Sequence, residues 1–285
     1  MSTSIIFENG DYGVRGVVTS AWSEAIARSL HEKSIAELEL NHAKGWQGND
    51  ISFLSVFPKL RSFKIIDLTI SSVEPVHFLR ELQSLDVITY CKTELRFATF
   101  PSLKECGLEW RPKAVSVFDC KTLKKLFVNR YSGKNVDPFA RLTNLESLAI
   151  LNAPIENLHG LSALRSLRSL RLANLKKLAS LEGIGGLIDL EELEVHTCRS
   201  IGSIEALASL TKLRTLDINN DGAIASLKPL EKLRLLERVT FYESTNILDG
   251  DLSPLKMQKN LSRVAFQNRR HYSHQREEFG TSYTT

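Results

Sequence analysis

The sequence predicts an α/β solenoid, a chain wound into right-handed coils whose strands form one parallel sheet. Two observations carry this. A short phrase with apolar residues at its first, fourth and sixth positions returns at a near-constant interval. A second apolar patch follows each copy. The plainest copies are Leu145-Glu-Ser-Leu148-Ala-Ile150, Leu167-Arg-Ser-Leu170-Arg-Leu172, Leu190-Glu-Glu-Leu193-Glu-Val195 and Leu213-Arg-Thr-Leu216-Asp-Ile218. Their first leucines lie 22, 23 and 23 residues apart by subtraction. The second patch is Ile155, Leu158, Leu161 and Leu164 in one coil and Ile224, Leu227 and Leu230 in another.

The phrase reads as a strand. Leu148 and Ile150 alternate with small or polar neighbours and so share one face. The first leucine sits at the turn into the strand. The rest of each period returns the chain to the next strand, so neighbours pair in parallel. One coil cannot bury its own leucines, but stacked coils bury each other's. A fixed period carrying L-x-x-L-x-L is the signature of the leucine-rich repeat, and the chain is identified as a member of that family. The resemblance implies a curved sheet on the concave face, with short helices, turns or extended segments on the convex face.

The same phrase extends upstream through Leu123, Leu103, Leu82, Leu60 and Ile35, and downstream through Leu236 and Leu261. That gives eleven strands, with repeats over residues 35–268, a cap over 1–34 and a tail over 269–285. In the cap, Ile5-Ile6-Phe7 and Val14 to Val18 read as strands around the turn Asn9-Gly10-Asp11. Trp22, Ile26 and Leu30 form one stripe of a short helix, which makes core packing the expected role of Trp22. Spacings in the first repeats are 25, 22, 21 and 20 residues. Coils this short leave little room for an outer helix, and Leu95-Arg-Phe97 and Val115-Ser-Val117 suggest extended outer segments. The later outer segments have three-residue spacing, which allows a short helix or helical turn. Pro229 and Pro254 sit at equivalent points in Leu227-Lys-Pro-Leu230 and Leu252-Ser-Pro-Leu255. This part resembles the short-repeat subclass shared by bacterial internalins and a eukaryotic protein phosphatase regulatory subunit. After Phe266 the sequence turns polar, with Phe279 and Tyr283 isolated, so a poor cap and a mobile tail are expected.

Composition sets outer bounds. Hydrophobic content of 42% and charged content of 25% are ordinary for a globular protein, and a net charge of +4 does not argue for nucleic acid. No apolar run is long enough to span a membrane. The first ten residues lack the basic segment and apolar core of a secretory signal, so a cytoplasmic location is expected. Neither the export leader nor the wall anchor of internalins is expected, so their cell-surface role is not carried over.

Candidate chemistry is sparse. Cys106 occupies a core slot, Cys198 the ninth slot, Cys91 a turn after the third strand, and Cys120 the approach to the fifth. Slots this different do not converge on one metal, so four free thiols and no metal are expected. Gly183-Ile-Gly185-Gly186 lies in an outer segment with no following lysine, which favours a structural role over a phosphate loop. No motif calls for a cofactor. His196 is the best acid or base, sharing a face with Glu194 and lying beside Asp217 on the next strand, but a hydrolase there also needs a nucleophile or metal.

Protein recognition without catalysis is therefore the leading function, on the concave sheet surface of an adaptor or immunity-type protein. A hydrolase centred on His196 and an architectural homo-oligomer are the alternatives. The third, fifth, seventh and eighth positions of each phrase are expected to face the partner. They give Glu109 and Trp110; Phe127, Asn129 and Arg130; Asn152; Arg171; Glu194 and His196; Asp217; and Tyr242 and Glu243. Trp110, Phe127 and Arg130 are the residue types that dominate buried contacts. Local packing of Trp110 and Phe127 over irregular coils is the competing reading.

Overall fold

Leucines three residues apart line up on one side of a helix only when it has three residues per turn, and that sets the outer half of every regular coil. In a computed structural model, which describes residues 4–280, Leu158, Leu161, Leu164 and Leu167 are all fully buried. The segment His159–Ala163 between them is a 3-10 helix, with the Leu161 N–H donating to the Leu158 carbonyl at 2.9 Å. The next coils repeat this at Ile184–Gly186 and Glu205–Ser209. The chain divides into two compact units, residues 1–128 and 129–285.

The first unit opens with the antiparallel hairpin of β1 (Ile5–Asn9) and β2 (Val14–Val18). Helix α1 (Glu24–Glu32) follows, with the Ser23 hydroxyl accepting from the Ile26 N–H at its start. Ile26 and Leu30 are buried, as their spacing predicts. Trp22 lies before the helix and is half-buried, its ring stacked on Phe53 with centroids 3.4 Å apart. Then come β3 (Glu37–Asn41), β4 (Ser62–Ile66), β5 (Ser84–Ile88), β6 (Glu105–Glu109) and β7 (Lys125–Asn129). β2 pairs in parallel with β3, so the hairpin closes the sheet edge while contributing a strand to it. β3, β4, β5 and β6 continue the parallel order, and the Lys124 and Lys125 N–H groups reach the Lys104 carbonyl at the start of β7.

One expectation holds only in part. Val115-Ser-Val117 lies inside the 3-10 helix Pro112–Asp119, whereas Arg96 is extended and only Phe97 of its segment enters the 3-10 helix Phe97–Thr99. The tight turn is short enough to fit a 20-residue coil, and Pro112 suits its first turn, where an N–H has no partner to lose.

The second unit carries β8 (Ser147–Leu151), β9 (Ser169–Ala173), β10 (Glu192–His196), β11 (Thr215–Asn219), β12 (Ala223–Ile224), β13 (Arg238–Phe241), β14 (Asn246–Ile247) and β15 (Arg263–Phe266). β8, β9, β10, β11, β13 and β15 pair in parallel with equivalent residues opposite one another, Leu170 beside Leu193 and Leu193 beside Leu216. β12 and β14 form a second small ladder. Pro229 and Pro254 both sit in the first turn of short helical segments, Lys228–Lys232 and α2 (Ser253–Lys256). Every one of the eleven predicted phrases is a strand. Core slots Leu148, Ile150, Leu170, Leu172, Leu193, Val195, Leu216 and Ile218 are buried as expected.

The stretch after Phe266 departs from expectation. Tyr272 is buried against Phe266, and Phe279 meets the same ring edge-on at 5.9 Å. Arg269 donates to the carbonyls of Glu243 and Thr245, and Tyr272 Oη accepts from the Ile247 N–H. Residues 267–280 therefore cover the last coil, through aromatics too widely spaced to register as a pattern. Tyr283 lies outside the described residues.

Candidate functional site

On a sheet whose fourth and sixth slots point inward, the third, fifth and seventh slots must point outward. The parallel register then aligns them into rows across strands. In the second unit the fifth-slot row reads Ala149, Arg171, Glu194, Asp217 and Thr240. Arg171 Nε lies 3.3 Å from Glu194 Oε2. The seventh-slot residue His196 stands 3.5 Å from Asp217 Oδ1, a charge contact longer than a hydrogen bond. Asp217 raises the His196 imidazole above its ordinary value, against the opposing effect of burial. Asn219 donates to Asp217 and accepts from the Tyr242 N–H at 2.8 Å, which fixes the cluster's far side. The expected grouping of Glu194, His196 and Asp217 is therefore present.

The eighth slot behaves differently from a sheet face. Arg130, Asn152, Asn174, Thr197, Asn220 and Glu243 all have φ between 55° and 60°, in the left-handed region. The N–H groups of Arg130, Asn152, Asn174, Thr197 and Asn220 extend the ladder by one bond, as from Asn152 to the Ala173 carbonyl at 2.9 Å. Asn152 donates its amide to Asn129 Oδ1 at 2.7 Å and accepts from Asn174. Asn129 and Asn152 thus spend their polar groups on a turn ladder, and the Glu243 carbonyl is held by Arg269. Arg130 and Glu243 keep exposed side chains.

In the first unit the assigned residues separate. Glu109 is a correction: it is only 4% exposed, so it presents no surface to a partner. Trp110 is half-buried and packs on Phe118 with centroids 5.7 Å apart, which is the local packing considered above. Phe127 is 37% exposed and does face solvent.

Two groups escaped the sequence reading. Asp221 is wholly buried: its Oδ1 accepts from the Cys198 N–H, its Oδ2 meets no donor, and burial pushes its carboxyl up to about 7. Burial likewise pushes the Cys198 thiol up to about 12. Cys91 and Arg111 meet at a turn of the first unit, Nη1 to Sγ 3.1 Å. The signal for the second was an arginine in the slot that elsewhere holds a turn or core residue.

No family model matches the sequence, and no curated protein matches it significantly. Solved structures do resemble it. An internalin, inlF, from Listeria monocytogenes aligns over 90% of this chain and 83% of its own length, with 22% identity and a TM-score of 0.58. The functional domain of InlJ from Listeria monocytogenes, which includes a cysteine ladder, aligns over 84% of this chain and 61% of its own, at 17% identity and TM-score 0.53. A protein described as a TDR receptor gives 0.64 at 14% identity, over 86% of this chain and 45% of its own. At these identities the likeness is one of fold.

Proposed function

The chain has the leucine-rich repeat fold, and from that premise we propose that it is a non-enzymatic recognition protein that binds a protein partner on the solvent-facing side of its strands. One observation carries the reading. Arg171, Glu194 and Asp217 stand side by side on β9, β10 and β11, partly exposed and locked in register by the ladder beneath them. A rigid row of one positive and two negative charges orders few side chains on binding, and it selects a partner by complementary charge. His196 and Tyr242 flank the row, and Phe127 supplies an exposed aromatic on the face of the first unit.

Two observations favour this over the alternatives. The nearest thiol to His196 in sequence, that of Cys198, is turned into the core with its pKa pushed up to about 12, so it is poorly suited to the hydrolase reading. Residues 267–280 cover the coil through which an architectural oligomer was expected to grow.

The test uses the full chain as bait in an extract of its native cell, with mass spectrometry to identify the bound protein. Arg171→Glu should weaken that protein's binding about tenfold, roughly 1.4 kcal/mol, while thermal melting stays unchanged. Equal affinity in the folded variant moves the site off these strands. The pair Trp110→Ala and Phe127→Ala then asks whether the first unit's face carries it.

A further inference from the structure

A guanidinium is always charged, and burying it without a counter-charge costs several kcal/mol. Arg111 is 4% exposed. Its Nη2 donates to the Thr89 carbonyl and the Thr89 hydroxyl, both at 3.0 Å, and its Nη1 to Cys91 Sγ at 3.1 Å. Nε has no acceptor. Among the described residues no carboxylate lies within ion-pair distance of Arg111. The one ionisable group in contact with it is the Cys91 thiol.

Cys91 is also supported from other sides. Thr89 Oγ1 lies 3.2 Å from the sulfur, and the Thr93 N–H points to it. Burial by itself raises the thiol pKa, but the Thr89 hydroxyl, the Arg111 charge and the Thr93 N–H together bring it below the ordinary value. Its chain neighbours Tyr90 and Lys92 are exposed, and Cys91 itself is half-buried, so a small reagent can reach the sulfur. The other three thiols differ: Cys106 and Cys198 are buried, and the half-buried Cys120 faces the Thr122 hydroxyl rather than a cation.

We infer that Cys91, whose sulfur is held against the Arg111 guanidinium, is a site of oxidation by hydroperoxides and reacts as its thiolate. The sulfur lone pair attacks one peroxide oxygen, forming S–O as the O–O bond breaks. The attacked oxygen is the one bearing hydrogen, so Cys91 becomes a sulfenic acid; hydroxide leaves (alkoxide from an organic hydroperoxide) and is protonated by a buffer acid of the medium. The guanidinium suits this reaction because it stabilises the nucleophile, with Nη1 held against the sulfur that takes up the oxygen. Protein recognition on the strand face plays no part in this site.

The experiment is run on the intact, reduced chain. Iodoacetamide alkylation rates at Cys91 and Cys120 are followed by peptide mass spectrometry from pH 5 to 9, with the urea-unfolded chain as reference. In the folded chain the Cys91 midpoint should lie at least one pH unit below that of Cys120, and the gap should vanish on unfolding. Treatment with equimolar hydrogen peroxide and a 1,3-dione probe should then label Cys91 at least tenfold more than Cys120. Arg111→Met should raise the Cys91 midpoint if that variant folds. Parallel pH profiles for the two folded thiols, or equal labelling by the probe, overturn the inference without reference to any variant.

Discussion

The two units spell the same strand phrase but leave the strand in different ways. From Arg130 to Asn220 in the second unit, the residue after the strand adopts the left-handed conformation, and the following slot turns inward: Tyr131, Ala153, Leu175, Cys198 and Asp221 are buried. In the first unit no eighth-slot residue has positive φ. After β4 and β5 the eighth slot turns inward instead, with Asp67 and Thr89 buried, and the ninth points out, with Leu68 and Tyr90 about half exposed. Between those coils and the ones from Arg130 to Asn220, one left-handed residue shifts the inward phase by one position. Asparagine tolerates that conformation best after glycine, and it fills the slot at positions 152, 174 and 220. The first unit uses side chains instead: Asp67 Oδ1 accepts from both the N–H and the hydroxyl of Thr69.

The largest effect should come from the feature the units share. Leu193 and Leu85 are both fully buried in fourth slots. Leu193→Asp places an unpaired charge between coils and should cost more than about 4 kcal/mol, enough to unfold neighbouring repeats. Leu85→Asp should do the same in its own unit. Hydrogen exchange resolved by peptide checks both, and retained protection of β10 in the Leu193 variant would remove this slot from the core.

Buried polar groups should give the units opposite pH responses. Asp221 has a folded pKa near 7, against about 3.9 when unfolded. Between those values the folded state holds a proton the unfolded state has lost. Stability of the second unit should therefore fall as pH rises from about 4 to about 7, by at most roughly 4 kcal/mol. His196, Asp217 and Cys198 are the titratable groups that act on it. Asp221→Asn keeps an acceptor for the Cys198 N–H and should flatten the slope in urea midpoints at pH 5 and pH 8. A slope equal to the parent's would assign the effect elsewhere.

The first unit should weaken in acid instead. His77 donates from Nδ1 to the Glu74 carbonyl at 2.9 Å, and its Nε2 accepts from the Arg96 N–H at 3.0 Å, so the ring must be neutral to join its two coils. Burial holds its pKa below the ordinary value. The contribution is present above pH 6.5 and is lost as pH falls through the lowered folded value. Protonation removes the acceptor, worth about 1–2 kcal/mol. Exchange of the Arg96 amide should accelerate between pH 7 and 5 after correction for its intrinsic rate, and His77→Gln should abolish that acceleration.

These contrasts mark what was legible in the sequence. The strands were, because leucines at fixed slots have a single use in a stacked coil, and Glu194, His196 and Asp217 fell together because the ladder leaves no other register. Glu109 was misplaced because a slot predicts the side of the sheet and says nothing of what lies over it. The eighth slot was read as a sheet position because alternation was carried one residue past the strand, whereas Arg130, Asn152 and Glu243 reach the surface through a left-handed turn. Asn152 and Asn174 were the warning, since asparagine there serves the turn. The Cys91–Arg111 pair joins a turn to the next coil 20 residues on, and only coordinates show that contact.

The smallest effect should test the turn difference itself, at single eighth-slot residues. Asn174 sits at φ 56°, where a Cβ-bearing residue is strained by about 1–2 kcal/mol and only asparagine or glycine rests easily. Asn174→Ala should therefore cost about 1 kcal/mol or more, while Asn174→Gly should cost less, losing only the amide contact to Asn152. The order should reverse in the first unit. Thr89 has negative φ, and its hydroxyl meets Cys91 and Arg111, so glycine there gains no relief and adds unfolded-state entropy. Thr89→Gly should thus be worse than Thr89→Ala by about 0.5–1 kcal/mol, because both lose the hydroxyl and only glycine loosens the backbone. Urea unfolding of the four variants measures the two differences directly. If alanine and glycine rank alike at both positions, the left-handed turn is not what separates the units. If they rank oppositely, one backbone angle per coil accounts for which side chains each unit turns toward solvent.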